Sequence, residues 1–170
     1  MLDLGTGSGA IAISLAEQRP ALDIVAIDIS AKALAVAKQN AIKLGVHILF
    51  VESDWFSALG NERFDLIVSN PPYVGRGDPH LTQGDLRFEP IGALTDNAPD
   101  QRGLACIRRI IDDAPKHLNG EGWLMFEHGY DQALACRDLL AARGFVELMC
   151  VPDLAGIPRV SGGRWSAVGG

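Results

Sequence analysis

Apolar residues along the chain fall into short, nearly continuous runs, separated by stretches that repeat at helical spacing. "MLDL" opens the chain as a short strand, and Ile11 to Glu17 begins a helix directly after a run of glycines. "LDIVAI", Leu22 to Ile27, is almost unbroken in its apolarity, as expected of a strand covered on both faces. Ser30 is placed to cap a helix that runs to about Leu44. Leu34, Ala37, Ala41 and Leu44 share one face of it, Lys32, Lys38 and Lys43 are left to solvent, and Gly45 stops it. "VHILFV", Val46 to Val51, and "FDLIVS", Phe64 to Ser69, are the third and fourth strands. Leu104 to Leu118 predicts a helix whose last turn is kinked or ended by Pro115. "GWLMFEH" is a strand, Asp131 to Arg143 a helix closed by Gly144, and "FVELMCV" a further strand. "IPRVSGG" makes a weak last strand, because two glycines offer nothing to pack.

Strands alternating with helices in this way predict an α/β fold, a mostly parallel seven-stranded sheet with helices on both faces. Ligands of such sheets bind beyond the carboxyl ends of the strands. The residues just after each strand are therefore the ones to read for chemistry. One connection stands apart: roughly Pro71 to Arg102 is crowded with Pro, Gly and Asp. A loop of about 30 residues is unusual in a compact domain unless it serves the site, and this one is expected to frame a substrate entrance.

Composition narrows the classes. The chain has 170 residues, 48% of them hydrophobic, enough for one domain over residues 1–170 with a real core. No apolar run reaches the roughly 20 residues that span a bilayer, and no signal peptide opens the chain, so a cytoplasmic protein without membrane contact is expected. Cys106, Cys136 and Cys150 sit singly, in no metal-like or redox spacing, and read as reduced core thiols; no metal is expected. A net charge of −6 lacks the basic footprint of a protein that grips nucleic acid by its phosphates. The opening strand is short for a βα unit, which predicts a missing upstream segment, up to a whole domain.

After the first strand comes "DLGTGSGA", Asp3 to Ala10. Gly5, Gly7 and Gly9 allow a tight turn and a close approach of backbone to ligand. The pattern also satisfies the dinucleotide fingerprint, so a nicotinamide or flavin cofactor must be weighed. Alone, it equally describes a strand-to-helix turn with no ligand. After the second strand comes Asp28, 23 positions beyond Gly5, where a carboxylate can accept from both ribose hydroxyls. Its plainer role, a helix cap, belongs more naturally to Ser30. After the third strand, Asp54 can accept from an adenine amine and Trp55 offers a stacking face. Taken singly, Trp55 is a core residue; taken with the other strand ends, the pair marks an adenine pocket. Asp3 decides the ligand. A pyrophosphate would be repelled by a carboxylate two residues before the first glycine, whereas S-adenosylmethionine carries an ammonium and a sulfonium that suit it.

The fourth strand ends in "SNPPYVG". Asn70 precedes a proline and is pushed to an extended conformation. Pro71 and Pro72 have no N–H. Carbonyls without competing donors, beside the Asn70 side-chain oxygen, form a cluster of acceptors that suits an NH2 group, with Tyr73 packing on a flat substrate. A proline-rich turn explains "PP" but not the tetrapeptide at this position.

At these residues the sequence resembles a known family. "NPPY" after the fourth strand of a Rossmann-like S-adenosylmethionine fold marks enzymes that methylate planar nitrogens. "DLGTGSGAIAISLA", "DIS..AL.VAKQNA", "SDWF", "FDLIVSNPPYV", "DPHL", "FEP..AL", "FEHG" and "RV" together resemble the protein-glutamine methyltransferases of the HemK/PrmC type. Those enzymes modify the glutamine of the Gly-Gly-Gln motif in bacterial peptide-chain release factors. The resemblance implies S-adenosylmethionine as cofactor and a release factor as partner. It implies that Gly5, Thr6, Gly7 and Gly9 line the methionine end of the cofactor, Asp28 holds the ribose, and Asp54 and Trp55 border the adenine. Asn70, Pro71, Pro72 and Tyr73 hold the substrate glutamine, with Asn70 also beside the cofactor. The family's N-terminal helical domain is absent from this chain, as is a short upstream segment that helps close the cofactor site. A bulkier residue is also expected where Gly162 stands. "NPPY" alone is shared with adenine-DNA and guanine-RNA methyltransferases, which leaves a nucleic-acid amine methyltransferase and a truncated, inactive cofactor-binding domain as rivals. A nicotinamide dehydrogenase gives no reason for "NPPY".

The chemistry expected is positional. An amide nitrogen is a poor nucleophile, and no side chain here would deprotonate it. Asn70 oxygen and the Pro71 carbonyl are expected to accept the two amide hydrogens and aim the nitrogen at the methyl group, with no general base assigned. His80 is expected to be a loop residue and His128 a strand-end hydrogen-bonder. Asp85 and Glu89 lie in the long loop, where Glu89 is a candidate to orient Asn70 or the substrate backbone.

Overall fold

The computed structural model describes residues 1–74, 95 and 103–166. These contain the strands β1 (Leu2–Leu4), β2 (Val25–Asp28), β3 (Leu49–Glu52), β4 (Phe64–Ser69), β5 (Leu118–Glu127), β6 (Phe145–Pro152) and β7 (Pro158–Trp165), and the helices α1 (Ala10–Gln18), α2 (Ala31–Leu44), α3 (Ala105–His117) and α4 (Ala133–Arg143). The strands form one sheet in the order β3-β2-β1-β4-β5-β7-β6. Every neighbouring pair is parallel except those involving β7, which runs antiparallel to both β5 and β6.

Alternation along the strands divides the core in two. Leu2, Leu4, Ile27 and Ile67 point to a face covered by Ile107, Ile110, Ile111 and Ala114 of α3 and by Cys136 and Leu140 of α4. Ala26 of β2, with Leu66 and Val68 of β4, faces the other way, against Ala12 and Ala16 of α1. The α3 positions recur at i, i+3, i+4 and i+7, the spacing of one buried helical stripe. Pro115 lies inside α3, in its last turn, and the helix ends two residues later at His117.

Two strands begin later than their apolar runs suggest, for the same reason. Leu22 donates its N–H to Arg19 O in the turn after α1, and Val46 donates to Ala41 O in the cap after α2, so neither is available to the sheet. The α2 stripe is narrower than expected. Leu34, Ala37 and Ala41 are buried, but Leu44 is 53% exposed at the helix end, beyond the edge of the core. Ser30 caps α2 as expected, its side chain accepting from Ala33 N. Of the cysteines, Cys136 is buried, Cys106 half-buried and Cys150 exposed, so the core-thiol expectation fits only Cys136. Burial pushes the Cys136 thiol up to about 12.

The weakest-looking strand is interior. β7 lies between β5 and β6, with Gly162 opposite Met125 on one side and Met149 on the other. A Cβ at Gly162 would stand 2.5 Å from Leu124 O and 3.0 Å from Met125 Cγ. The missing side chain lets the two strands close, so the glycine expected to be out of place here has a packing reason. Gly162→Ala is expected to lower the unfolding free energy by about 1–3 kcal/mol, the usual cost of overpacking. Urea denaturation checks this; an unchanged midpoint would show that β5 and β7 have room to spare.

Candidate functional site

The sheet order reverses at β1, with β2 on one side and β4 on the other. In open α/β sheets the ligand crevice lies at this switch, beyond the carboxyl ends of the strands. Leu4 is paired with Ile27 and with Ser69, so Gly5, Asp28 and Asn70 leave the sheet side by side. Ser69 reinforces the register by donating its hydroxyl to Leu4 O at 2.8 Å.

Gly5 and Gly7 both have positive φ, 69° and 57°, and apart from their chain neighbours no atom of the described residues lies within 4 Å of where either Cβ would stand. The loop is thus an open cradle of backbone. Thr6 N donates to Ile27 O at 2.8 Å and fixes its base. Gly9 differs. A Cβ there would meet Ile13 and Ala37, so this glycine lets α1 and α2 approach rather than opening toward the crevice.

Asp3 is buried beneath the cradle. Its Oδ2 accepts from Thr6 Oγ1 at 2.6 Å and from Ala12 N, in the first turn of α1, at 3.2 Å. Its Oδ1 is buried with no hydrogen-bond partner among the described residues. Burial pushes this carboxyl above the ordinary carboxylate range; the bonds from Thr6 and Ala12 oppose the shift, and the charge of Asp28 adds to it. Asp28 ties the cradle to β2: Oδ2 accepts from Gly7 N at 2.9 Å and Oδ1 from Ser30 N at 2.8 Å. Each of its oxygens keeps a lone pair for another donor. An open glycine cradle over an orphaned buried acceptor, with a second carboxylate beside it, fits a cationic ligand with hydroxyl groups better than a phosphate.

On the β3 side, Ser53 is buried and its hydroxyl donates to Trp55 O at 2.7 Å while accepting from Ala58 N at 3.0 Å. Trp55 has φ 51°. A left-handed tryptophan costs of order 1 kcal/mol or more, and the Ser53 bond holds it there with its ring half-buried against the α3 core. Asp54 is held by both terminal nitrogens of Arg109, at 3.1 and 3.0 Å, in an ion pair whose side chains are 46% and 48% exposed. At that exposure the pair contributes at most about 1 kcal/mol. It orients Asp54 more than it stabilises the fold.

On the β4 side, Asn70 is exposed and its side chain makes no hydrogen bond among the described residues. Pro71 is buried and Pro72 half-buried. Tyr73 is clamped: its hydroxyl donates to Glu127 Oε1 at 2.7 Å and its carbonyl accepts from Gln132 Nε2 at 2.9 Å. Gln132 in turn accepts from Gly129 N at 2.7 Å, so one amide joins the segment after β4 to the turn after β5. Gly103 packs directly on the Tyr73 carbonyl, with no room there for a Cβ. Ser53, Gly103, Arg109, Glu127 and Gln132 were not legible as site residues from composition or spacing. The signal available was position, since Ser53, Glu127 and Gln132 also lie at or just after strand ends.

His128 is fully buried, as a strand-end hydrogen-bonder should be. Nδ1 lies 2.8 Å from Gly129 O, which can only accept, so that nitrogen carries a proton; Nε2 lies 2.9 Å from Ser161 Oγ. His80, Asp85 and Glu89, and the stretches "DPHL" and "FEP..AL", lie outside the described residues.

Residues 1–84 match the family described as methyltransferase small domain. The chain is 54% identical over 164 residues to a release factor glutamine methyltransferase of Bordetella pertussis, covering 96% of this chain and 60% of that one. It is 48% identical over 167 residues to the protein of that name from Pseudomonas aeruginosa, covering 98% of this chain and 59% of that one. Over nearly all of its length the chain is thus similar to proteins named release factor glutamine methyltransferase. It spans about three-fifths of the length of these curated relatives. Solved structures confirm the Rossmann-like methyltransferase fold. A methyltransferase from Pyrococcus furiosus superposes with TM-score 0.71 at 17% identity, over 97% of this chain and 74% of that one. A T. thermophilus 16S rRNA N2 G1207 methyltransferase, solved with AdoMet and guanosine, gives 0.66 at 19%, over 96% and 36%.

The raised Asp3 carboxyl makes a signed prediction. The folded chain holds this proton to higher pH than the unfolded chain, so its contribution to stability is full at low pH and is lost as pH rises through the raised value. The unfolding free energy of wild type minus that of Asp3→Asn should therefore fall as pH rises above the ordinary carboxylate range. Denaturation at a series of pH values reads it, and a difference that climbs with pH contradicts the burial argument.

Proposed function

We propose that this chain is the catalytic domain, residues 1–170, of an enzyme that methylates the side-chain amide of the glutamine in the Gly-Gly-Gln motif of a peptide-chain release factor, with S-adenosylmethionine as donor. The additional length of the relatives supplies substrate recognition on this reading, and the reaction takes place in the cytoplasm, where release factors work. The observation that carries the proposal is Asn70. It leaves the sheet beside the open glycine cradle, exposed, with its carboxamide unpartnered among the described residues.

The cofactor, when bound, supplies a methyl group made electrophilic by the sulfonium. Gly5, Thr6 and Gly7 would lie along its methionine end, with the Asp3 carboxylate beneath; Gly9 supports the cradle through helix packing. Asp28 would accept from the ribose hydroxyls, and Asp54 and Trp55 would border the adenine. The substrate carboxamide is planar and its nitrogen lone pair is delocalised, so the protein's task is aim. Asn70 Oδ1 and the Pro71 carbonyl accept its two N–H groups. Tyr73, fixed by Glu127 and Gln132, packs on its flat face. Holding reactants in this way can contribute about 7–11 kcal/mol. Both acceptors bind more strongly as positive charge develops on nitrogen. No group is needed to remove the proton before attack.

Mass spectrometry of release factor incubated with the full-length protein and S-adenosylmethionine should find one added methyl on the Gly-Gly-Gln glutamine. Methylation of RNA instead would establish a nucleic-acid enzyme. Asn70→Ala should leave cofactor affinity by calorimetry nearly intact and reduce turnover by about a hundredfold or more, the scale of losing one transition-state contact. Asp28→Ala should do the reverse, weakening the cofactor by about tenfold, the order of a lost charged hydrogen bond. Wild-type turnover in the first, or wild-type affinity in the second, rejects the corresponding role.

A further inference from the structure

Glu127 is the last residue of β5. Ser69 pairs with Phe126 in the parallel β4–β5 ladder, so Glu127 and Asn70 leave adjacent strands together. The Glu127 side chain is half-buried. One oxygen accepts from the Tyr73 hydroxyl at 2.7 Å, and the other has no partner among the described residues. Among the described residues, no Lys, Arg or His pairs with this carboxylate. A glutamine would also offer Tyr73 an acceptor, since its carbonyl accepts, but without the charge assistance a carboxylate gives. Among the described residues the charge serves only to strengthen that one bond, and it stands on the strand end beside Asn70.

We propose that Glu127 is a positioning residue whose negative charge also favours the transfer step. Through its bond to the Tyr73 hydroxyl it sets the ring against which the carboxamide lies. By its charge it stabilises the positive charge that the amide nitrogen gains as its lone pair forms the N–CH3 bond. The pair of the breaking S–CH3 bond stays on sulfur, and one N–H proton then passes to water. This inference rests on the amide-clasping role of Asn70 and adds the electrostatic part of it: an acceptor rim with a carboxylate behind it selects a group that becomes cationic on reaction.

The test compares Glu127→Gln, Glu127→Asp and Tyr73→Phe in the full-length protein, measuring kcat and KM for release factor, calorimetric Kd for S-adenosylmethionine and for release factor, and Tm. Glu127→Gln keeps an acceptor for Tyr73 and removes the charge. It should lower kcat by about tenfold to a hundredfold while leaving both Kd values within about twofold and Tm within a few degrees. Glu127→Asp, which keeps the charge, should retain more kcat than Glu127→Gln, and so should Tyr73→Phe. Wild-type kcat in Glu127→Gln overturns the proposal. So does a rise in release-factor Kd at constant kcat, or a Tyr73→Phe loss as large as that of Glu127→Gln, because each confines the carboxylate to structure or ground-state binding. Should Glu127→Gln melt much lower, the order of Glu127→Asp and Tyr73→Phe kcat against wild type decides: the charge argument requires both to stay within about tenfold of it. If Asn70→Ala retains full turnover, the amide-clasping role has failed, whatever the Glu127 variants do.

Discussion

The site depends on the register of β4. This strand is paired on one side with β1 and on the other with β5, both parallel, and its last residue, Ser69, is opposite Leu4 and Phe126 at once. Side chains alternate faces with a period of two, so a slip of one residue in either ladder would turn Asn70 away from the crevice or send Glu127 to the opposite face. The register is held by more than backbone. Ile67 is fully buried against α3, and the Ser69 hydroxyl is bonded to Leu4 O in the neighbouring strand. What looks like a chemical motif after β4 is thus placed by packing several residues before it.

Charge at this end of the sheet is mostly negative, and the fold bears a cost for it. Asp3 is buried with one oxygen unsatisfied among the described residues, and Asp28, two residues along β2 from Asp3's partner Ala26, raises its proton affinity further. The opposing effects are local: the Thr6 hydroxyl, and the Ala12 N–H at the start of α1, where the helix dipole favours an anion. A dinucleotide site uses the same glycine turn to present N–H groups to phosphate. Here Gly7 N is already given to Asp28, and the acid beneath the turn changes the sign of the ligand that suits it. The same backbone shape with a different carboxylate layout favours a cation.

Much of this was legible in the sequence, and the rest was not for identifiable reasons. The strand-helix alternation, the α2 cap at Ser30 and the crevice residues after each strand follow from local patterns that the sheet then uses. Strand beginnings were missed at Leu22 and Val46 because their N–H groups bond to helix ends, a choice that apolarity does not encode. β7 looked weak because glycine packs poorly in an ordinary strand, but Gly162 is where two strands close on each other, a tertiary fact. Gly9 fits the ligand motif by spacing, yet its neighbours are Ile13 and Ala37. Arg109 and Gln132 reach the site from helix α3 and from the turn before α4, and no spacing rule links them to Asp54 or Tyr73.

The prolines of the β4 end gain their meaning from this clamp. A flexible acceptor cluster would bind an amide and lose most of the advantage to the entropy of ordering itself. Pro71 and Pro72 fix φ, and neither of their carbonyls accepts a hydrogen bond among the described residues. The next carbonyl, Tyr73 O, is taken by Gln132 and covered by Gly103, which leaves it no role toward a ligand and makes it an anchor. The segment is therefore divided at Tyr73: acceptors before it are open, and those at it are satisfied. On the proposed reading, that division would make the rim selective. A substrate NH2 would then find acceptors where the strand end aims them, and the two prolines themselves have no N–H with which to compete.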